Sequence, residues 1–318
     1  MNPPPNYSYA VDQCDVLDKA NLISYRAKRT EWATLLEHEP QHSVTSQLSA
    51  LLWEDAAFRM FNEMRRLVPS GQKSFMTAPL LAEALDNGYV LSMVLGISRL
   101  TDPQPIDPGR GVVSLRRVFD DIRAHRHLIT REAYICYDGL RYDPSAIPYP
   151  WERGVRPGEV QSVALGGPLD RDTPDYLHER FDNLTGVAPA NRGRFDRIGD
   201  VVFNEINALL SAQAVNKVRS LRNKFVAHAA DTRSRSSTAL AGFDISMAEV
   251  EDALRALLRA YSKLQADLMW GSGGGLMPIA QFDVLEGLVE SLPVAQQQQL
   301  EAFWDEVSRD REHWHETS

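Results

Sequence analysis

Apolar positions recur at helical spacing through most of this chain, and no stretch alternates strongly enough to propose a sheet. From Val44 to Leu67 the residues Leu52, Ala56, Met60, Met64 and Leu67 draw one stripe along a helix. A second helix should begin near Pro79, a residue favoured in the first turn. Leu81, Leu85, Gly88, Leu91 and Leu95 are expected to line its inner side, with Gly88 marking a close helix crossing. Ser114 can cap a third helix carrying Leu115, Val118, Phe119 and Ile122. Further on, Phe195, Ile198, Val202, Ile206 and Leu209 predict a helix, and Val215, Val218, Leu221 and Phe225 predict the next. Ser246-Met247-Ala248-Glu249 reads as a capping box opening a helix with Val250, Leu254, Leu257, Tyr261, Leu264 and Leu268 on one face.

Between these runs the pattern fails in three places. Residues 1–43 are mixed and open on a proline run, which predicts a disordered tip followed by at most one short helix. Residues 137–193 scatter prolines among glycines and aspartates, with one short helix around Tyr176–Leu184, and read as a functional loop or an insertion. Gly271-Ser272-Gly273-Gly274-Gly275 reads as a flexible linker to a polar tail with a helix over Gln297–Glu306. The expected organisation is therefore an N-terminal segment 1–43, an all-α helical domain 44–270 interrupted by the insertion, and a linker with helical tail 271–318.

Composition narrows the function classes. At 318 residues with a net charge of −9 and a pI near 5.4, the chain is no whole-surface nucleic-acid binder. Residues 190–235 run against that balance, with nine basic side chains against four acidic ones, and could meet phosphates locally or form an ordinary solvated face. Cys14 and Cys136 have no CxxC spacing, and His125-Arg126-His127 places two imidazoles on diverging sides of a helix, so neither a metal nor a cofactor is expected. The first residues have neither a basic nor an apolar leader region, and no uninterrupted apolar run approaches membrane-spanning length; a cytoplasmic protein without membrane contact is the expectation.

The candidate chemistry lies in Leu221-Arg222-Asn223-Lys224-Phe225-Val226-Ala227-His228. An always-charged guanidinium beside an imidazole that titrates near neutrality can act on a phosphodiester without a metal, the imidazole moving a proton and the arginine holding charge on phosphorus. Spacing alone is weak, since Arg171 with His178 and Arg309 with His315 offer similar pairs. The middle pair stands out by Asn223 directly after the arginine and by the long apolar helices leading in. Arg222 sits at the edge of the apolar stripe, where it either holds a phosphate or forms a buried ion pair with Asp200 or Asp231.

The Arg222-Asn223-x4-His228 element between two long helices resembles the HEPN superfamily, most closely the abortive-infection HEPN proteins of the AbiU-like group. Three other segments share in this resemblance: Leu52–Asp55 with Asn62–Arg66, Ile97–Asp102, and Ser114–Arg117. Together they span about residues 45–270. The resemblance implies a HEPN-like helical bundle with Arg222, Asn223 and His228 as catalytic residues and Arg219, Lys224 and Lys217 contacting RNA. It further implies a metal-independent endoribonuclease acting on single-stranded RNA or tRNA, leaving a 2′,3′-cyclic phosphate, in phage defence or as a toxin held by an antitoxin. One histidine per motif implies a homodimer packed around the motif helix. The alternative is a silent HEPN module that binds a partner protein or a nucleotide. Elsewhere, Trp53, Phe58 and Phe61 could stack bases or fill a core, and Tyr134, Tyr137, Tyr142, Tyr149 and Trp151 form a candidate aromatic partner surface.

Overall fold

A computed structural model describes residues 7–71, 74–103, 111–148, 166–223, 245–269, 283–288 and 292–314. Among these residues the fold is all-α: ten α-helices and no strand, with one isolated bridge between Thr130 and Arg197. The helices are α1 (Lys19–Ala33), α2 (Val44–Leu67), α3 (Pro79–Leu100), α4 (Leu115–Ala124), α5 (Arg131–Cys136), α6 (Asp172–Thr185), α7 (Asp200–Leu210), α8 (Gln213–Leu221), α9 (Met247–Ser262) and α10 (Val294–Glu312). The chain divides into two compact units, one of Met1–Pro40, Val118–Ile206 and Leu264–Gly271, the other of Gln41–Arg117, Asn207–Lys263 and Ser272–Ser318.

The first unit is built where sequence periodicity predicted least. Residues 1–43 contribute the fifteen-residue helix α1, in which Leu22, Tyr25 and Trp32 are buried together with Arg26 and Arg29. Those two arginines interrupt the apolar stripe in the sequence, yet both are satisfied inside. Arg26 donates to the carbonyls of Tyr137 (2.8 Å) and Tyr9 (2.9 Å), and Arg29 donates to the carbonyl of Met269 (2.7 Å) while stacking on Tyr137. All six residues of α5 are buried. Arg131 bonds Asp182 (2.7 Å), Asp196 (3.0 Å) and the carbonyl of His178 (3.2 Å), while the Glu132 carboxylate caps the backbone N–H groups of Leu17 and Asp18. Bonds from Arg192 and Arg131 outweigh burial at Asp182 and hold its carboxyl below the usual range.

The region 137–193 is thus core-forming in its described part. Helix α6 is longer than predicted and buries Leu177, Phe181 and Leu184. The described members of the aromatic group, Tyr134, Tyr137 and Tyr142, pack within the first unit. Tyr134 is fully buried and donates to the carbonyl of Asp267 (2.8 Å), Tyr137 packs edge-on against Tyr7 and Tyr25, and Tyr142 lies beneath Arg194. Tyr149 and Trp151 fall outside the described residues.

His178 lies within hydrogen-bond distance of the Tyr142 carbonyl (2.8 Å), and burial pushes its imidazole below the ordinary histidine range despite that bond. The folded protein therefore takes up this proton at lower pH than the unfolded chain, whose histidine titrates near 6.5. Its contribution is full above that value and is lost as pH falls through the folded pKa. Urea midpoints followed from about pH 7.5 to about pH 5 should fall, and His178→Gln, which can still donate to Tyr142, should flatten the curve. Parallel curves for the two proteins would remove His178 from the acid response.

In the second unit α2 packs against α3 and α10, and α8 packs against α3 and α9. The predicted α2 stripe is buried throughout, Ser43 caps it, and it ends where expected at Leu67. The capping box at Ser246 and Glu249 forms, and every predicted apolar position from Val250 to Leu268 is buried. Ser114 caps α4 by accepting from the N–H of Arg117 (3.0 Å).

Three expectations are corrected. The predicted inner stripe of α3 faces outward: Leu81, Leu85, Leu91 and Leu95 are 38–45% exposed, and Ala82, Tyr89, Met93, Val94, Gly96 and Ile97 form the buried side. Helix α7 starts at Asp200, leaving Phe195 exposed ahead of it and burying Leu210 instead of Leu209. The polar tail is a nineteen-residue helix whose Leu300, Arg311 and Trp314 are buried in the second unit. The Gly271–Gly275 linker lies outside the described residues.

Candidate functional site

Helix α8 carries Val215, Val218 and Leu221 on one fully buried face, and this fixes which way its polar residues point. The α-helix stops at Leu221, and Arg222 and Asn223 begin a wider, π-type turn. Arg222 and Asn223 therefore stay in helical backbone, and the residues that follow lie outside the described ones.

Its guanidinium is held from two sides. Nε donates to Asn223 Oδ1 (3.1 Å) and Nη1 donates to Asp102 Oδ1 (2.7 Å). Asp102 follows the last turn of α3, and its backbone carbonyl accepts from the Ser114 hydroxyl (2.5 Å). The Ser114 hydroxyl thus ties the start of α4 to the residue that anchors Arg222. Of the two expected ion-pair partners, Asp200 is corrected, since it pairs with Arg126, and Asp231 lies outside the described residues. Asp102 was not foreseen as the partner. Its place at the end of a long apolar helix was the available signal, but 120 residues separate it from Arg222.

The pair is not sealed, since the Arg222 and Asp102 side chains retain 22% and 27% exposure. A guanidinium has five N–H donors, and Asn223 and Asp102 occupy two of them among the described residues. Arg219 stands one turn earlier, at the i, i+3 spacing that stacks two side chains on one helix face, and its Nε is buried without a partner among the described residues. Lys217 is committed elsewhere, with its ammonium bonding both oxygens of Glu249 (2.6 and 2.7 Å). That contact, joined by the Ser246 backbone, holds the Glu249 carboxyl below its ordinary range. His228 and Lys224 lie outside the described residues, so the arrangement brings together Arg222, Asn223 and Asp102 with Arg219 close by on the same helix.

The described basic residues of the run 190–235 are divided between the two units. Arg192 and Arg194 belong to the first unit and pair with Asp182 and Asp15, whereas Lys217, Arg219 and Arg222 belong to the second. Trp53, Phe58 and Phe61 are packing residues: Phe58 stacks on Tyr89 (3.8 Å), and Trp53 and Phe61 line an apolar pocket of about 340 Å³ together with Met60, Met64 and Trp304. Trp314, beyond the end of α10, is buried under Arg311 and Arg255. Among the described residues no group of three or more His, Cys, Asp or Glu could hold a metal ion. Cys14 and Cys136 are both buried free thiols, and burial pushes the Cys136 thiol up, away from nucleophilic use.

No family model matches the chain, and comparison with curated proteins and with solved structures finds no match either.

Proposed function

We propose that the second unit is a metal-independent endoribonuclease of HEPN type, acting on single-stranded RNA or tRNA at Arg222, Asn223 and His228. The observation that carries this reading is the part-exposed Arg222 guanidinium, oriented by Asn223 and Asp102, which occupy two of its five donors among the described residues. A phosphate could take the remaining donors without the arginine first losing its anchors. In the reaction the RNA 2′-oxygen forms a bond to its neighbouring phosphorus and the bond to the 5′-oxygen breaks. His228 accepts the 2′-hydroxyl proton, Arg222 neutralises the charge that builds on the phosphoryl oxygens, and the departing 5′-oxygen takes a proton from a second copy's imidazole or from water. Arg219 extends the cationic face toward the adjoining phosphate, and Lys217 reaches RNA only if Glu249 releases it. A role in phage defence, or as a cytoplasmic toxin under an antitoxin, belongs to the same reading.

The second reading is a silent module binding a protein or nucleotide. It is favoured by the one-to-one pairing of Arg222 with Asp102, which neutralises the motif's charge within the chain.

Purified protein incubated with end-labelled tRNA and single-stranded RNA in excess EDTA separates the two. Cleavage that leaves cyclic-phosphate ends and disappears in His228→Ala supports the enzyme. Intact RNA in every lane, with a folded protein by circular dichroism, leaves the binding module.

A further inference from the structure

Two alanines leave room beside α2 where larger side chains would complete the packing. Ala56 and Ala57 line the apolar pocket of about 340 Å³ in the second unit, with Met60 and Met64 on the following turns of the same helix face. Ala56, Met60 and Met64 are buried and form its floor, whereas Ala57 is exposed and marks its mouth. Its walls are half-buried: Trp53 and Phe61 of α2, Trp304 of α10, and Val284 and Leu288 from the segment between. Close-packed interiors hold few voids larger than a water molecule, so an apolar space of this size is a feature to be explained.

Size, charge and hydrogen bonding together set what it can hold. The volume lies near the lower end of the roughly 300–1,000 Å³ of small-molecule sites, which suits one compact molecule and not a helix. No lining residue is charged. Arg65 stands over the Phe61 ring (5.6 Å), but it is bonded to Asp86 (2.7 Å) and Asn62 (2.9 Å). The only side-chain N–H donors the lining residues possess are the two indoles, and Trp304 Nε1–H has no partner among the described residues. Three aromatic rings and two thioethers favour a further ring, through offset or edge-on stacking and sulfur–ring contacts.

We propose that this pocket is a binding site for an uncharged, planar aromatic molecule with one hydrogen-bond acceptor, which the Trp304 indole N–H meets. Such a molecule displaces water that finds few partners here and takes the half-buried rings out of solvent. A nucleobase fits poorly, because its several polar edge atoms would be buried against a single donor. A fatty-acid anion finds no uncommitted cation at Arg65, and its flexible chain loses freedom on binding that a rigid ring does not have. The occupant touches both α2 and α10, so binding should stabilise their contact. The inference is independent of the ribonuclease reading, since Arg222, Asn223 and His228 take no part in this pocket.

The test titrates the full chain with 6-propionyl-2-dimethylaminonaphthalene, an uncharged planar probe whose ketone is the acceptor and whose emission reports polarity. Its emission should shift to the blue and saturate at one probe per chain, and the unfolding temperature should rise with probe concentration. Ala57→Phe, at an exposed position, should fill the mouth and weaken binding by roughly tenfold or more, with the near-ultraviolet circular dichroism unchanged. Trp304→Phe keeps a ring and loses the donor. It should weaken the ketone probe by about two- to tenfold and leave naphthalene, measured by calorimetry, unaffected. The absence of saturable binding, or binding that Ala57→Phe leaves unchanged, would overturn the proposal. Displacement of the probe by laurate or adenosine at lower concentration than by naphthalene would overturn the ligand class. Equal losses of probe and naphthalene in Trp304→Phe would remove the acceptor from it.

Discussion

Asp55→Ala is expected to cost the second unit about 3–5 kcal/mol, the penalty for breaking a buried ion pair by removing one partner. Asp55 is fully buried on α2 and accepts from the Tyr89 hydroxyl (2.6 Å), from Arg59 (2.9 Å) and from Arg311 of α10. Arg59 has a second carboxylate in Glu251 (2.8 Å), so it survives the loss. Arg311 keeps only the carbonyl of Leu52 (2.9 Å) and would carry an almost uncompensated charge in a site where its side chain is 4% exposed. Urea denaturation followed by circular dichroism should show a midpoint lower by roughly 2 M, given m-values of about 1–3 kcal/mol/M. Asp55→Asn should be milder, because the amide oxygen still accepts from Tyr89. The double variant Asp55→Leu with Arg311→Met should recover most of the loss, since apolar replacement of a whole buried pair is close to neutral. A drop of under about 1 kcal/mol in Asp55→Ala would mean that α10 is held mainly by the apolar packing of Leu300, Phe303 and Trp304.

That ion pair also shows what could not be read along the chain. Arg311 sits in a run of charged residues that looks like a solvated tail, and its partner is 256 residues away. The same holds for α1, where Arg26 and Arg29 fill two positions of the apolar line. Helical periodicity counts an arginine as outward-facing, and only the distant carbonyls of Tyr137, Tyr9 and Met269 make its burial affordable. By contrast α2 and α9 were legible, since each has one apolar stripe, one polar face and a serine cap. Helix α3 failed for a different reason. It is apolar on nearly every side, so periodicity could place the helix but could not choose its inner face. The buried side takes small residues such as Ala82, Gly96 and Ser98, which pack closely without standing out on a hydropathy scale, and the leucines are left outside. At the candidate site the sequence located Arg222 and Asn223 and the helix that bears them. It could not supply Asp102, because an ion pair between residues 102 and 222 leaves no trace in local spacing.

Arg222→Ala is expected to lower RNA cleavage by about 10²–10³-fold, the usual effect of removing one preorganised donor from a developing phosphoryl charge. Its effect on stability should stay near 1 kcal/mol or less, because the Arg222–Asp102 pair is partly exposed and solvent screens it. This separation of activity from stability distinguishes the two readings of the motif. A purely structural tie would move the unfolding midpoint and leave any nucleic-acid chemistry untouched. Arg222→Lys should rescue little, since a single ammonium cannot bond Asn223 and Asp102 while also presenting a fork to phosphate. Asp102→Asn is the sharper probe. Losing the carboxylate leaves more net positive charge around Arg222, so RNA should bind at least as tightly and KM should not rise. The guanidinium also loses a charge-assisted anchor, so kcat should fall. If Asp102→Asn instead raises KM with kcat unchanged, Asp102 takes part in holding substrate and does not aim the arginine. If Arg222→Ala cuts RNA as well as the wild type, the arginine is no part of the chemistry. The cleavage would then have to be sought at another histidine, with His178 excluded by its burial against Tyr142.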